Sequence, residues 1–177
     1  GSTWEGGIRE AAFAHWPGQI KPASRTPAIV SSLDVLPTVL DLAGVALPRD
    51  RAYDGESMRS VLTDARPAAL PHQDGLFFYS TAQREDGPVA MRLLAWKAHW
   101  VTFPGLGGCS QDNCKTIKHD PPLLFNVERD PSEAYPLQAG DLEYAVAIKA
   151  VRAAYEKELA TFVFGTMDPA PGAPPYA

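Results

Sequence analysis

The sequence predicts an α/β protein in two unequal parts: the incomplete edge of a larger α/β unit, then a small four-stranded antiparallel sheet packed on a C-terminal helix. Three observations predict it. Short β-type runs crowd residues 75–127, joined by polar or Gly- and Pro-rich connections. Tyr144, Ile148, Val151, Tyr155, Leu159 and Phe162 recur at helical spacing. The first 70 residues offer one apolar run and one longer helix, too little to bury each other.

Composition bounds the rest. The 177 residues are 45% apolar, which suits a globular core and argues against a disordered chain. Seventeen prolines and 14 glycines point to much irregular backbone between short elements. A net charge of −5 with an isoelectric point near 5.3 argues against a general nucleic-acid binder. No run approaches the ~20 apolar residues of a membrane-spanning helix. The sequence opens on Gly1-Ser-Thr-Trp4 with neither an initiator Met nor a signal-peptide pattern, so a piece of a longer protein is expected.

In chain order, Ala11-Ala-Phe-Ala-His-Trp16 reads as a buried strand closed by the turn Pro17-Gly18. Asp34 is positioned to cap a helix that tolerates Pro37 in its first turn. Leu36, Val39, Leu40 and Ala43 then form one apolar face, and Gly44 ends the helix. Asp54-Gly55 marks a turn before a short helix holding Met58, Val61 and Leu62. Four strands follow at Gly75–Tyr79, Val89–Leu94, Lys97–Phe103 and Leu123–Val127. Ala98, Trp100 and Val101 do not alternate cleanly, so the facing of the third is open. Asp141 is placed to cap the last helix and Gly165 to stop it. The expected divisions are 1–70 for the large-domain edge, 71–165 for the sheet-plus-helix subdomain and 166–177 for a Pro-rich extended tail.

Chemistry is sparse. There is no Gly-x-Ser-x-Gly elbow and no Gly-rich phosphate loop. His15 reads as a structural residue in an apolar strand, His72 as solvated in a polar linker, and His119 as support for a loop. His99 is the candidate substrate-binding residue: with Lys97 and Trp100 it can wall a pocket for an anion. The competing reading is a half-exposed His beside a snorkelling Lys. Glu5, Arg9 and Glu10 read as a structural ion pair beside paired glycines, and Asp130-Pro131-Ser-Glu133 as a structural turn. Cys109 and Cys114 can bridge to each other, or one can pair with a cysteine elsewhere.

Six segments, in order across residues 4–133, resemble the later part of a sulfatase. They are Trp4-Glu-Gly-Gly-Ile-Arg-Glu10, Trp16-Pro-Gly18, Asp34–Gly44, Tyr53-Asp-Gly55, Lys97-Ala-His99 and Pro122–Glu133. The nearest branches are arylsulfatase A and N-acetylgalactosamine-6-sulfatase. The resemblance implies an alkaline-phosphatase-like α/β domain carrying a small C-terminal antiparallel sheet. It also implies hydrolysis of sulfate esters with a formylglycine nucleophile and calcium. Neither carries over to this chain, which has no Cys-x-Pro-x-Arg and no paired calcium aspartates. In the family a lysine of the site precedes the Glu-Gly-Gly phrase, so the resemblance leaves no catalytic or metal residue within the chain. Only His99 is carried toward the substrate rim. The family also pairs a cysteine of this sheet with one upstream, a part either Cys109 or Cys114 can take. A sulfated small molecule, glycan or glycolipid, a lysosomal or secreted location and compatibility with a homo-oligomer follow from the same resemblance. The rival expectations are a non-catalytic interaction module presenting Trp96, Trp100 and Phe103, and part of a related phosphoester or phosphonate hydrolase.

Overall fold

The computed structural model describes residues 2–64, 69–80, 87–103 and 116–161. Its elements are α1 (Glu5–Ile8), α2 (Val35–Leu42), α3 (Arg59–Thr63), β1 (Leu76–Phe78), β2 (Ala90–Leu93), β3 (Trp96–Thr102), β4 (Ile117–Asn126) and α4 (Leu142–Thr161). The strands form one antiparallel meander in the order β1-β2-β3-β4. The four-stranded sheet expected from the sequence is present.

Strand alternation gives the sheet two distinct faces. On one, Met91, Leu93, Ala98 and Leu124 meet Tyr144, Ala147 and Val151 of α4 to form the core. Trp100 stacks on Tyr155 of α4 with ring centroids 3.8 Å apart, and the Tyr155 hydroxyl donates to the Pro88 carbonyl. Trp96 and Trp100 therefore pack against the core that the sheet shares with α4 and do not stand free as a binding face. The opposite face carries Lys97, His99 and Phe125, where the N-terminal Trp4–Glu5 segment lies.

The facing left open at Trp100 is explained by a bulge. Trp100 N–H and Val101 N–H both donate to the Val89 carbonyl, and the β3–β4 register shifts between His99 and Val101. That extra residue breaks the alternation and turns Val101 inward. β4 starts six residues earlier than expected, at Ile117 rather than Leu123. Pro121 and Pro122 argue against a central strand, but β4 is an edge strand, where lost N–H donors cost little.

Within the first 64 residues α2 and α3 stand where expected, while the apolar run and the facing of α2 depart from expectation. Ala11–Trp16 form no strand; the run is exposed, with Phe13 at 98%. His15 is accordingly exposed and not a packed structural histidine. In α2 the packed residues are Pro37 and Thr38, whereas Leu36 and Val39 of the expected apolar face are exposed. Hydrogen bonds decide this orientation, because Thr38 Oγ1 donates to the Asp34 carbonyl and accepts from Met58 N–H. The cap is also shifted one turn back. Ser31 caps a short 3-10 turn, Ser32–Asp34, and the Asp34 carboxylate returns to Ser31 N–H as a capping box. Gly44, at φ +70°, ends α2 as expected: its N–H reaches the Asp41 carbonyl and Val45 N–H reaches Leu40. Phe162, Gly165 and the tail 166–177 lie outside the described residues.

Candidate functional site

Two basic side chains, Arg92 of β2 and Lys97 of β3, are direct cross-strand partners on the face away from α4. Like charges so placed repel, and a buried lysine needs a counter-ion. Glu5 supplies it. Its buried carboxylate accepts from Lys97 Nζ at 3.0 Å through one oxygen and from Arg92 at 2.9 Å through the other. Lys97 is fully buried and its ammonium also lies 4.1 Å over the Phe78 ring. Burial pushes the Lys97 ammonium below its ordinary value, and Glu5 opposes that shift. Arg9, the expected partner of Glu5, is the outer member at 3.6 Å and half exposed.

Two residues along β3, on the same face, stands His99. Its ring is completely buried, packed at a tilt of 32° against Trp4 with ring centroids 4.3 Å apart, and edge-on to Phe125. Nε2 lies 2.6 Å from Glu133 Oε1, while Glu133 Oε2 accepts the Glu5 backbone N–H. Among the described residues Nδ1 is buried without a hydrogen-bond partner. Burial lowers the His99 pKa, with Glu133 opposing and Lys97 and His119 adding to the shift. The ring is thus held neutral near pH 7, neither half-exposed nor beside a snorkelling lysine. Trp4 and Glu133, which cover His99, also line an open concavity with Gly6, Pro131 and Ser132.

Glu133 sits in the turn after β4, held by Asp130. The Asp130 carboxylate accepts from Tyr135 N–H and Ser132 Oγ, and its pKa is lowered chiefly by the Tyr135 bond. Glu133 itself adopts φ +53°, a left-handed conformation disfavoured for any residue with a Cβ.

A second buried polar group joins the early helices to the sheet. The Asp34 carboxylate accepts from Ser31 N–H, Glu56 N–H and His72 Nε2, the last at 2.9 Å. His72 is 3% exposed, so its expected place in solvent is corrected: Asp34 draws the ring inward. His119 pairs with Thr102 Oγ1 inside β4, not in a loop. Cys109 and Cys114 lie outside the described residues, as does any bridge between them. Among the described residues no three His, Cys, Asp or Glu side chains are grouped to hold a metal ion.

The sequence singled out Lys97, His99 and Glu5 but did not join them, and it missed Arg92 and the role of Glu133. One signal was available: a lysine two residues before a histidine on an apolar strand shares its face and needs a carboxylate.

Comparison with known proteins gives this architecture a family. Residues 71–171 match the model for the C-terminal region of aryl-sulfatase, and residues 3–86 match that for the N-sulphoglucosamine sulphohydrolase C-terminal region. The chain belongs to the sulfatase family. It is 38% identical to an arylsulfatase of Hemicentrotus pulcherrimus over 93% of its own length and 31% of the relative's. To arylsulfatase A of Bos taurus it is 37% identical over 99% of this chain and 36% of that one. Among solved structures it superposes on BT4656, solved in complex with its substrate D-glucosamine-2-N,6-O-disulfate, with a TM-score of 0.52 and 24% identity. That match covers 80% of this chain and 26% of the other. The chain spans about a third of the length of the curated relatives it matches. Among the described residues no helix is long and apolar enough to cross a membrane.

Proposed function

We propose that this chain is the C-terminal part of a sulfate-ester hydrolase of arylsulfatase type, completing the fold and shaping the substrate rim. The observation that carries it is the buried Glu5–Lys97–Arg92 and His99–Glu133 group, which ties the Trp4-Glu-Gly-Gly phrase to the small sheet. In the family that phrase follows a lysine of the catalytic site. Pinning it would set where the site meets the sheet, with the Trp4–Glu133 concavity at the rim and His99 buried beneath it. The exposed apolar residues of the first 47 positions, including Phe13, Leu36 and Val39, also support a chain that packs into a larger α/β domain.

Calcium would polarise the sulfate and formylglycine would supply the nucleophile, both held by residues outside these 177. The protein part described here would bind, orient and exclude water. The domain division at residues 70 and 165, a sulfated small molecule or glycan as substrate and a lysosomal or secreted location belong to the same proposal. So does a bridge from Cys109 or Cys114.

The test is aryl-sulfate hydrolysis measured on the full-length protein and on residues 1–177 alone. Turnover by the former and none by the latter is expected. Hydrolysis by residues 1–177 alone, or none by the full-length protein, overturns the proposal.

A further inference from the structure

Glu133 is a non-glycine residue in a left-handed turn position, yet its side chain is almost wholly buried. A turn alone would be better served by Gly or Asn. What the glutamate adds is two bonds made at once, to Glu5 N–H and to His99 Nε2. The backbone is held in an unfavourable region so that one carboxylate can reach both. Such an outlier, when buried and fully engaged, marks a residue kept for its side chain.

We infer that Glu133 is a positioning residue: it fixes His99 as the neutral tautomer protonated on Nε2 and so presents the Nδ1 lone pair as a hydrogen-bond acceptor. A carboxylate is acceptor-only, so the nitrogen facing it carries the proton. The reverse arrangement would bury an N–H at Nδ1 with no acceptor, the rarer and costlier kind of orphan. Trp4 packed against the ring restrains its rotation, and Phe125 abuts it edge-on. The ring is thus fixed in plane, tautomer and charge. Lys97, on the same face, disfavours a second proton on that ring.

The tautomer stands on geometry alone and does not depend on the sulfatase proposal. The experiment is nitrogen NMR of the full-length protein carrying 15N-histidine, with His99 assigned by loss of its signals in His99→Gln. A protonated Nε2 and an unprotonated Nδ1 at neutral pH are expected. An Nδ1-protonated ring or an imidazolium overturns the inference without touching the sulfatase proposal. Two variants separate positioning from turn formation. Glu133→Gly suits the left-handed backbone but removes the carboxylate. It should mix the tautomers, read in the same nitrogen spectrum. Glu133→Gln leaves one acceptor oxygen for two donors, Glu5 N–H and His99 Nε2–H, and should hold the tautomer better than glycine but less fully than glutamate. If Glu133→Gly keeps the wild-type tautomer, Glu133 serves only the turn and the inference fails.

Discussion

At the scale of single residues, the buried charges set the sharpest constraint. Glu5 neutralises two cations that strand pairing forces together, so removing either end strands the other in a dry environment. Glu5→Gln leaves Lys97 without its counter-ion and should cost about 3–5 kcal/mol, read from the shift in urea midpoint. Replacing Arg9, which is half exposed, should cost under about 1 kcal/mol in the same titration. His99 gives a prediction in pH. Its folded pKa lies below the ordinary 6.5, so the unfolded chain binds more protons as pH falls through that value. The stability that His99 contributes should therefore decline on acidification below about pH 6.5 and be gone once pH drops below the folded pKa. His99→Gln should flatten that slope in denaturation measured from pH 7 to pH 5; an unchanged slope assigns the loss to other groups.

At the scale of elements, each junction rests on a few contacts. The turn that carries Glu56 to Asp34 runs so close to α2's lead-in that a Cβ on Gly55 would sit 2.0 Å from the Leu33 carbonyl. Backbone cannot yield as a side chain can, so Gly55→Ala should destabilise by about 3 kcal/mol or more, the upper end for overpacking. Calorimetry checks this against Gly6→Ala, where nothing stands within 4 Å. On the other side of the sheet, Tyr155→Phe keeps the stack on Trp100 but loses the bond to Pro88. About 1 kcal/mol is expected. Trp100→Leu removes the stack instead, at roughly 0.5–1.5 kcal/mol beyond the lost area.

At the scale of the whole molecule, the two faces of the sheet have different owners. One belongs to α4 and is closed by apolar packing, while the other belongs to the N-terminal phrase and is closed by paired charges. Apolar closure is local and self-contained; the charged closure ties distant sequence, Glu5 to Lys97 and Glu133, into one geometry. The residues between them keep Phe13, Leu33, Val35, Leu36 and Val39 in solvent. Residues 1–177 in isolation should therefore bind a hydrophobic dye and self-associate with rising concentration. A monomer at high concentration that binds no dye would show that this surface needs no cover.

Local pattern by itself determined the meander and the long helix, because strand alternation, helical spacing and turn chemistry are written within a few residues. It also determined the end of α2 at Gly44, where one left-handed residue suffices. Pattern misled wherever burial depends on what lies across space. Ala11–Trp16 read as a buried strand because the residues are apolar, yet no strand pairs with them among the described residues. Val39 read as core for the same reason, and Thr38, which did not, is the residue packed. His72 and Glu133 read as solvent and turn. Only tertiary structure decided that each carries a buried bond, because a polar side chain goes inside when a partner many residues away offsets its desolvation. The fold class was legible in neighbours along the chain; the site was made by partners across it.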